Sequence, residues 1–282
     1  MQELIWINGQ VMPLADARIG VEDRGFQFAD GVYEALRLYD GKPFAIDRHL
    51  ARLELSAGGI DLPLPIDVDD LREAMLDLAA ESRVMDGVLY LQVTRGVAPR
   101  NHLFPESAKQ TLLFYIRPIP PVGPIAGGDG YSLISVPDER WNRCWIKSIA
   151  LLPNTLARNA AASVGADEAA FVEAGQLSEC SSSNLFAVIG GTLVTVPVGP
   201  RVLPGVTRAV LLELATAMGI PVDERPVGYA EALAADEVFL ASTIRELAWV
   251  KIWDEKNIGC GECGPITRKL HAAFREYLAQ EL

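Results

Sequence analysis

Residues 117–130 read RPIPPVGPIAGGDG, a stretch holding four prolines and four glycines. Proline donates no backbone hydrogen bond, and glycine loses more conformational freedom on ordering than any other residue, so no helix or central strand runs through it. It reads as an interdomain linker over 119–128. That divides the 282-residue chain into a small N-terminal domain, 1–118, and a larger domain, 129–282. Each half is long enough to bury a core of its own.

The N-terminal half alternates hairpins and helices. LIWINGQVMPL predicts two short strands around an Asn8-Gly9 turn. An alternating strand from Val32 to Tyr39 follows, with a second turn at Asp40-Gly41. Asp47 is the expected cap of a helix that buries Leu50, Leu53 and Leu55 and ends at Gly58-Gly59. A second helix is expected over 69–82, and strands over 87–96 and 110–119. Beyond the linker the pattern predicts strands over 131–136 and 144–149, a helix over 154–165, and strands over 168–179 and 184–196. A helix entered through LPGVTR, a strand ending in a turn over 236–247 and a last helix over 265–282 complete the chain. This mixture predicts an α+β fold in two layered domains rather than a doubly wound sheet.

With 37 acidic against 25 basic side chains the net charge is −12, which argues against nucleic acid or an anionic membrane as partner. The N-terminus lacks a basic region followed by an apolar run. No apolar stretch approaches the roughly 20 residues that span a bilayer. The expectation is a soluble, cytoplasmic protein. Four cysteines agree with that compartment. Cys260 and Cys263 form CGEC, but no second pair and no nearby histidine completes a metal set, so the motif reads as a Gly-rich turn and no metal is expected.

Lys147 stands inside CWIKSIALL, an apolar run that reads as a buried strand. Lysine is almost never fully buried unless paired. Either it snorkels from a strand end, or it is a desolvated amine of the kind that forms Schiff bases. In the second case pyridoxal 5′-phosphate is the cofactor expected, and it needs a phosphate anchor, a carboxylate for its ring nitrogen and packing for its ring. LPGVTRAV places Val206 and Thr207 at a helix start, where free amides and the helix dipole favour a dianion. Ser242 and Thr243 follow a strand and can donate further bonds, and Arg52 can add charge. Glu179, in LSECSSSN, is the carboxylate candidate, and Ser182 lies in the polar turn behind it.

WINGQ, DRGFQFADGVYE, RCWIKS, GADEAAFVEAGQLSECSSSNLFAV, LPGVTR and DEVFLASTIRE occur in this order along essentially the whole chain. Together they resemble the fold-type IV pyridoxal-phosphate enzymes: branched-chain and D-amino acid aminotransferases and aminodeoxychorismate lyases. The resemblance implies a small N-terminal α/β domain and a larger C-terminal domain with a β-barrel-like core. It implies that Lys147 is the Schiff-base lysine and general acid–base, and that Glu179 faces the pyridine nitrogen. Arg52, Val206, Thr207 and Thr243 would cup the phosphate, with Leu203 packed on the ring.

Arg100 and His102, in TRGVAPRNHLFP, make a cationic pair suited to a carboxylate. With Tyr33 they resemble the carboxylate trap of the D-amino acid aminotransferases, where the pair reaches the neighbouring subunit's site, so a homodimer is implied. The activity expected from that branch is ping-pong transfer from D-amino acids, D-alanine above all, to 2-oxo acids such as 2-oxoglutarate. Arg37 resembles the branched-chain enzymes instead and leaves an L-branched-chain aminotransferase as the alternative, followed by the lyase. Cys180, Ala29, Trp145 and Ala150 depart from the usual pattern and bear on pocket shape.

Overall fold

Asn8 and Gly9 take φ of 48° and 90°, the left-handed pair a two-residue hairpin turn needs. They join β1 (Leu4–Ile7) to β2 (Gln10–Pro13) in the computed structural model of the chain, which describes residues 3–123, 125 and 128–282. Of the expected linker, Pro124, Ala126 and Gly127 lie outside the described residues. Contacts gather the chain into two units: 3–121 with 146–150 and 281–282, and the described residues of 122–145 and 151–280.

In the first unit come α1 (Arg24–Phe28), β3 (Gly31–Tyr39), β4 (Lys42–Pro43), α2 (Ile46–Gly58), α3 (Val68–Ser82), β5 (Gly87–Thr94) and β6 (Thr111–Pro118). The strands form one antiparallel sheet in the order β2-β1-β6-β5-β3-β4. Alternation along β3 turns Val32, Glu34, Leu36 and Leu38 to the buried face. Leu53 of α2 and Leu71 and Met75 of α3 are buried with them. The opposite face carries Tyr33, Tyr90 and Tyr115 as a ladder of rings, with centroids 5.7 and 5.4 Å apart.

The second unit holds β7 (Tyr131–Pro137), α4 (Leu152–Ser163), β8 (Glu168–Glu173), β9 (Gln176–Cys180), β10 (Asn184–Ile189), β11 (Thr192–Thr195), α5 (Val206–Ala217), β12 (Val222–Glu224), α6 (Tyr229–Leu233), β13 (Glu237–Ser242), β14 (Glu246–Trp253), β15 (Lys256–Asn257) and α7 (Pro265–Glu281). Its nine-stranded mixed sheet runs β12-β11-β10-β13-β14-β7-β8-β9, with β15 beside β14. Parallel neighbours need a crossover, and α4 supplies it from β7 to β8, α5 from β11 to β12. Leu185, Val194, Leu240, Val250 and Trp253 are among the side chains of its core. The α+β fold expected from the sequence is the fold observed.

Several local expectations give way. Residues 144–149 do not form a strand. Only Ser148 makes a bridge, to Val32, framed by Tyr33 N donating to Lys147 O at 2.9 Å and Ile149 N to Gly31 O at 3.1 Å. An apolar run demands burial but does not supply a ladder partner. Lys147 is accordingly half-buried. Asp47 lies inside the first turn of α2, whose cap is Ala45 at φ 52°, and Leu55 faces solvent. The turn after β13 is followed by β14, a long strand the sequence reading left out.

Candidate functional site

In the first unit the site residues gather around Lys147. Its backbone is clasped from two sides: Ser56 Oγ of α2 accepts from Lys147 N at 3.0 Å, and Tyr33 N of β3 donates to its carbonyl. Gly31 is crowded from both sides: a Cβ there would lie 2.5 Å from Val93 O of β5 and 3.0 Å from Ile149 Cδ1 of this segment. The Lys147 ammonium sits 4.2 Å from the centroid of the Tyr33 ring, within cation–π range.

Beneath it lies a buried charge cluster with two members that sequence reading missed. Glu34 is 1% exposed and accepts both Arg52 Nε and Arg52 Nη2 at 2.8 Å, a bidentate pair. His49 Nδ1 lies 2.7 Å from Glu34 Oε2, so against a carboxylate it is the nitrogen that carries the proton. Burial alone would raise the Glu34 carboxyl, but the Arg52 guanidinium and then His49 hold it down to about 2. Burial pushes His49 below its ordinary value, against the pull of Glu34. Arg52, expected as a phosphate contact, stands in a salt bridge to Glu34. One signal was available. A glutamate at an inward position of β3 needs buried cations, and His49, Arg52 and Ser56 share one face of α2 at helical spacing.

Arg100 and His102 both meet the Phe28 ring, Arg100 at 4.4 Å and His102 at 5.5 Å between centroids. Arg37 sits apart from Lys147, far along β3. It is 1% exposed and donates to the Pro120 carbonyl at 2.8 Å.

The second unit assembles the other candidates. Glu179, at the end of β9, receives Arg140 Nη1 at 2.5 Å, Asn184 Nδ2 at 3.1 Å and Leu203 N at 3.0 Å. Arg140 is also held by Asp138 through two bonds of 2.9 Å. Burial works against the Asp138 carboxylate, yet Arg140 keeps it below the usual range. Arg140 was not singled out from the sequence, and Asn184 stood out only as a member of the polar turn after Glu179. Asn184 ties the Glu179 carboxylate to the Leu203 carbonyl and so to the loop that opens α5. Gly205, the cap of that helix, packs so closely that a Cβ would lie 2.0 Å from Asn184 Oδ1. Val206 and Thr207 are buried in its first turn, where amides have no intrahelical partner. Asn184 pairs with Ala241 across β10 and β13, so Ser242, the last residue of β13, and Thr243 after it follow beside this group. Ser182 donates instead to Glu168 at 2.7 Å, alongside Ser181 and Arg245.

Residues 31–253 match a family model described as amino-transferase class IV. A D-alanine aminotransferase of Listeria monocytogenes is 40% identical over 281 residues, covering 98% of this chain and 96% of that protein. A solved 4-amino-4-deoxychorismate lyase of Pseudomonas aeruginosa is 31% identical at a TM-score of 0.85, covering 98% of this chain and 99% of that one. A T.th. branched-chain amino acid aminotransferase, solved with pyridoxamine 5′-phosphate, reaches a TM-score of 0.92 over 100% of this chain and 96% of its own. At 24% identity that last likeness speaks for the fold alone.

Proposed function

The chain belongs to the class IV aminotransferases, and on that premise we propose that it moves the amino group of D-amino acids, D-alanine first, to 2-oxo acids such as 2-oxoglutarate. The observation that carries this reading is the 40% identity to a D-alanine aminotransferase across nearly the whole chain. Enzymes of this family work with pyridoxal phosphate, and the residues present suit that group. Glu179 is a fixed anion, anchored by three donors, as a protonated ring nitrogen requires. The start of α5 offers amides and the buried Thr207 to a dianion.

When bound, the cofactor supplies an aldehyde carbon for amines and an electron sink for charge developing at the substrate Cα. The chain does the rest. Lys147 would hold the group through its amine and would carry the proton taken from the substrate Cα. Tyr33 faces its ammonium and limits where it can swing. Glu179 would keep the ring nitrogen protonated, and Leu203 would be the residue packed on the ring. Val206, Thr207, Ser242 and Thr243 would hold the phosphate, with Ser182 in the turn behind Glu179 and with Arg52, positioned by its pair with Glu34, as a further phosphate contact. Arg100 and His102 bind the substrate carboxylate.

In this reading the cationic pair serves the site of a second copy, so the working unit is a homodimer. Val21, Phe26 and Leu103 of the first unit are 79%, 79% and 75% exposed, and side chains of this kind call for a cover. The division into domains 1–118 and 129–282 about a linker belongs to the same proposal, as does a cytoplasmic location. Among the described residues no helix is long and apolar enough to cross a membrane. Arg37, engaged with Pro120, favours the D-amino acid reading over the L-branched-chain one.

Single-turnover absorbance of the purified holoenzyme tests the proposal. D-Alanine is expected to convert the aldehyde-form band to the amine-form band, and L-leucine to leave it unchanged. Conversion by L-leucine alone would replace the reading with the branched-chain one, and no conversion by either would point to the lyase.

A further inference from the structure

Residues 23–30, DRGFQFAD, carry three charged side chains that none of these roles uses. Asp23 is fully buried and accepts from the hydroxyls of Thr94 and Thr111 at 3.0 and 2.6 Å. Arg24, 3% exposed, places Nε 2.8 Å from Asp30. Its Nη1 donates to two main-chain carbonyls, Asn101 at 2.6 Å and Leu103 at 3.3 Å. The Asp30 carboxylate also accepts from Arg95 Nε at 2.9 Å. Arg95 in turn donates to the carbonyls of Ile60 and Asp61 and lies 3.6 Å from the Phe104 ring centroid.

Residues 100–104 have no helix or strand to hold them. Their conformation rests on two buried arginines that share one carboxylate. The carbonyls Arg24 grips flank His102, and its guanidinium lies 4.7 Å from the Phe28 ring that Arg100 and His102 also meet. The planar guanidinium fixes the angle between its Nε bond to Asp30 and its Nη1 bonds to the two carbonyls, which an ammonium cannot copy.

We propose that Arg24 is the positioning residue of this loop: through the Asn101 and Leu103 carbonyls it fixes where Arg100 and His102 present their side chains. Asp30 and Arg95 complete the clasp, so the loop is preformed rather than ordered by substrate. The inference rests on the reading of Arg100 and His102 as the carboxylate-binding pair.

The test compares wild-type holoenzyme with Arg24→Lys and Phe104→Ala, by hydrogen exchange of the 101–104 amides and by KM and kcat for D-alanine. Arg24→Lys is expected to speed that exchange about tenfold and to raise KM about tenfold. Its kcat should stay within about threefold and its cofactor absorbance should match wild type, a split that a general loss of packing would not produce. Phe104→Ala, at an exposed position and therefore safe for folding, is expected to move both readouts the same way by less. Wild-type exchange in both variants would overturn the proposal, as would faster exchange with an unchanged KM. If Arg24→Lys does not fold, an unchanged Phe104→Ala overturns it alone. A wild-type enzyme inert toward D-alanine would defeat the functional reading while the exchange arm still decides the clasp.

Discussion

The Lys147→Ala variant is expected to lose at least about 1,000-fold in kcat with D-alanine while folding as the parent does, because it removes the anchoring amine and the proton carrier in one step. The backbone at this position does not depend on the side chain. Ser56 Oγ accepts from the residue's N–H and Tyr33 N donates to its carbonyl, and alanine keeps both bonds. What goes is the amine 4.2 Å from the Tyr33 ring. Circular dichroism should therefore match the parent, and the visible band of the anchored cofactor should be missing. Cofactor held only by the second unit's donors should leave on dialysis. Turnover within tenfold of the parent would remove Lys147 from the chemistry and the aminotransferase assignment of its role with it.

Different parts of this molecule were legible for different physical reasons. Asn8-Gly9 and Asp40-Gly41 could be read because a two-residue turn needs positive φ and few residue types supply it. The starts of α2 and β14 could not. Ala45 reaches φ 52° and Glu246 φ 58° only because the surrounding structure holds them there, and neither residue type announces it. Lys147 stands out for its chemistry, but its local structure is not the strand expected, since the apolar run around it is satisfied by burial against Gly31 and Val32 instead of by a ladder. Glu179 stands out by its place in a motif, but Arg140, 39 positions earlier, carries no local signal of the bond between them. Long-range ion pairs are invisible to periodicity. Glu34 sits between the two cases, because its inward position on β3 follows from alternation, although its partners on α2 do not.

Glu34 also carries the largest stability effect to be expected. Its carboxylate takes two Arg52 bonds and the His49 Nδ1 contact in a site closed to solvent. Glu34→Ala leaves those groups buried around a cavity, and truncating one partner of a buried ion pair costs about 3–5 kcal/mol. The thermal midpoint should fall on the order of 10 °C, and Arg52→Ala should not add fully to it, because the two changes remove one interaction. The acid limb carries an independent signature. Glu34 titrates at about 2 when folded against an ordinary 4.5, so between those values the unfolded chain binds more protons and stability falls as pH falls. That contribution, about 3 kcal/mol, is complete above pH 4.5 and lost as pH drops through about 2. His49, held below its ordinary 6.5, acts in the same direction, with its loss beginning as pH falls below 6.5. Glu34→Gln is neutral at every pH and should flatten the lower part of that limb, while the part due to His49, freed from the upward pull of Glu34, grows. Acid titrations followed by tryptophan fluorescence separate the two. A Glu34→Gln protein with the parent's midpoint at neutral pH and the parent's acid slope would mean that the cluster contributes nothing to holding α2, and Lys147 above it, in place.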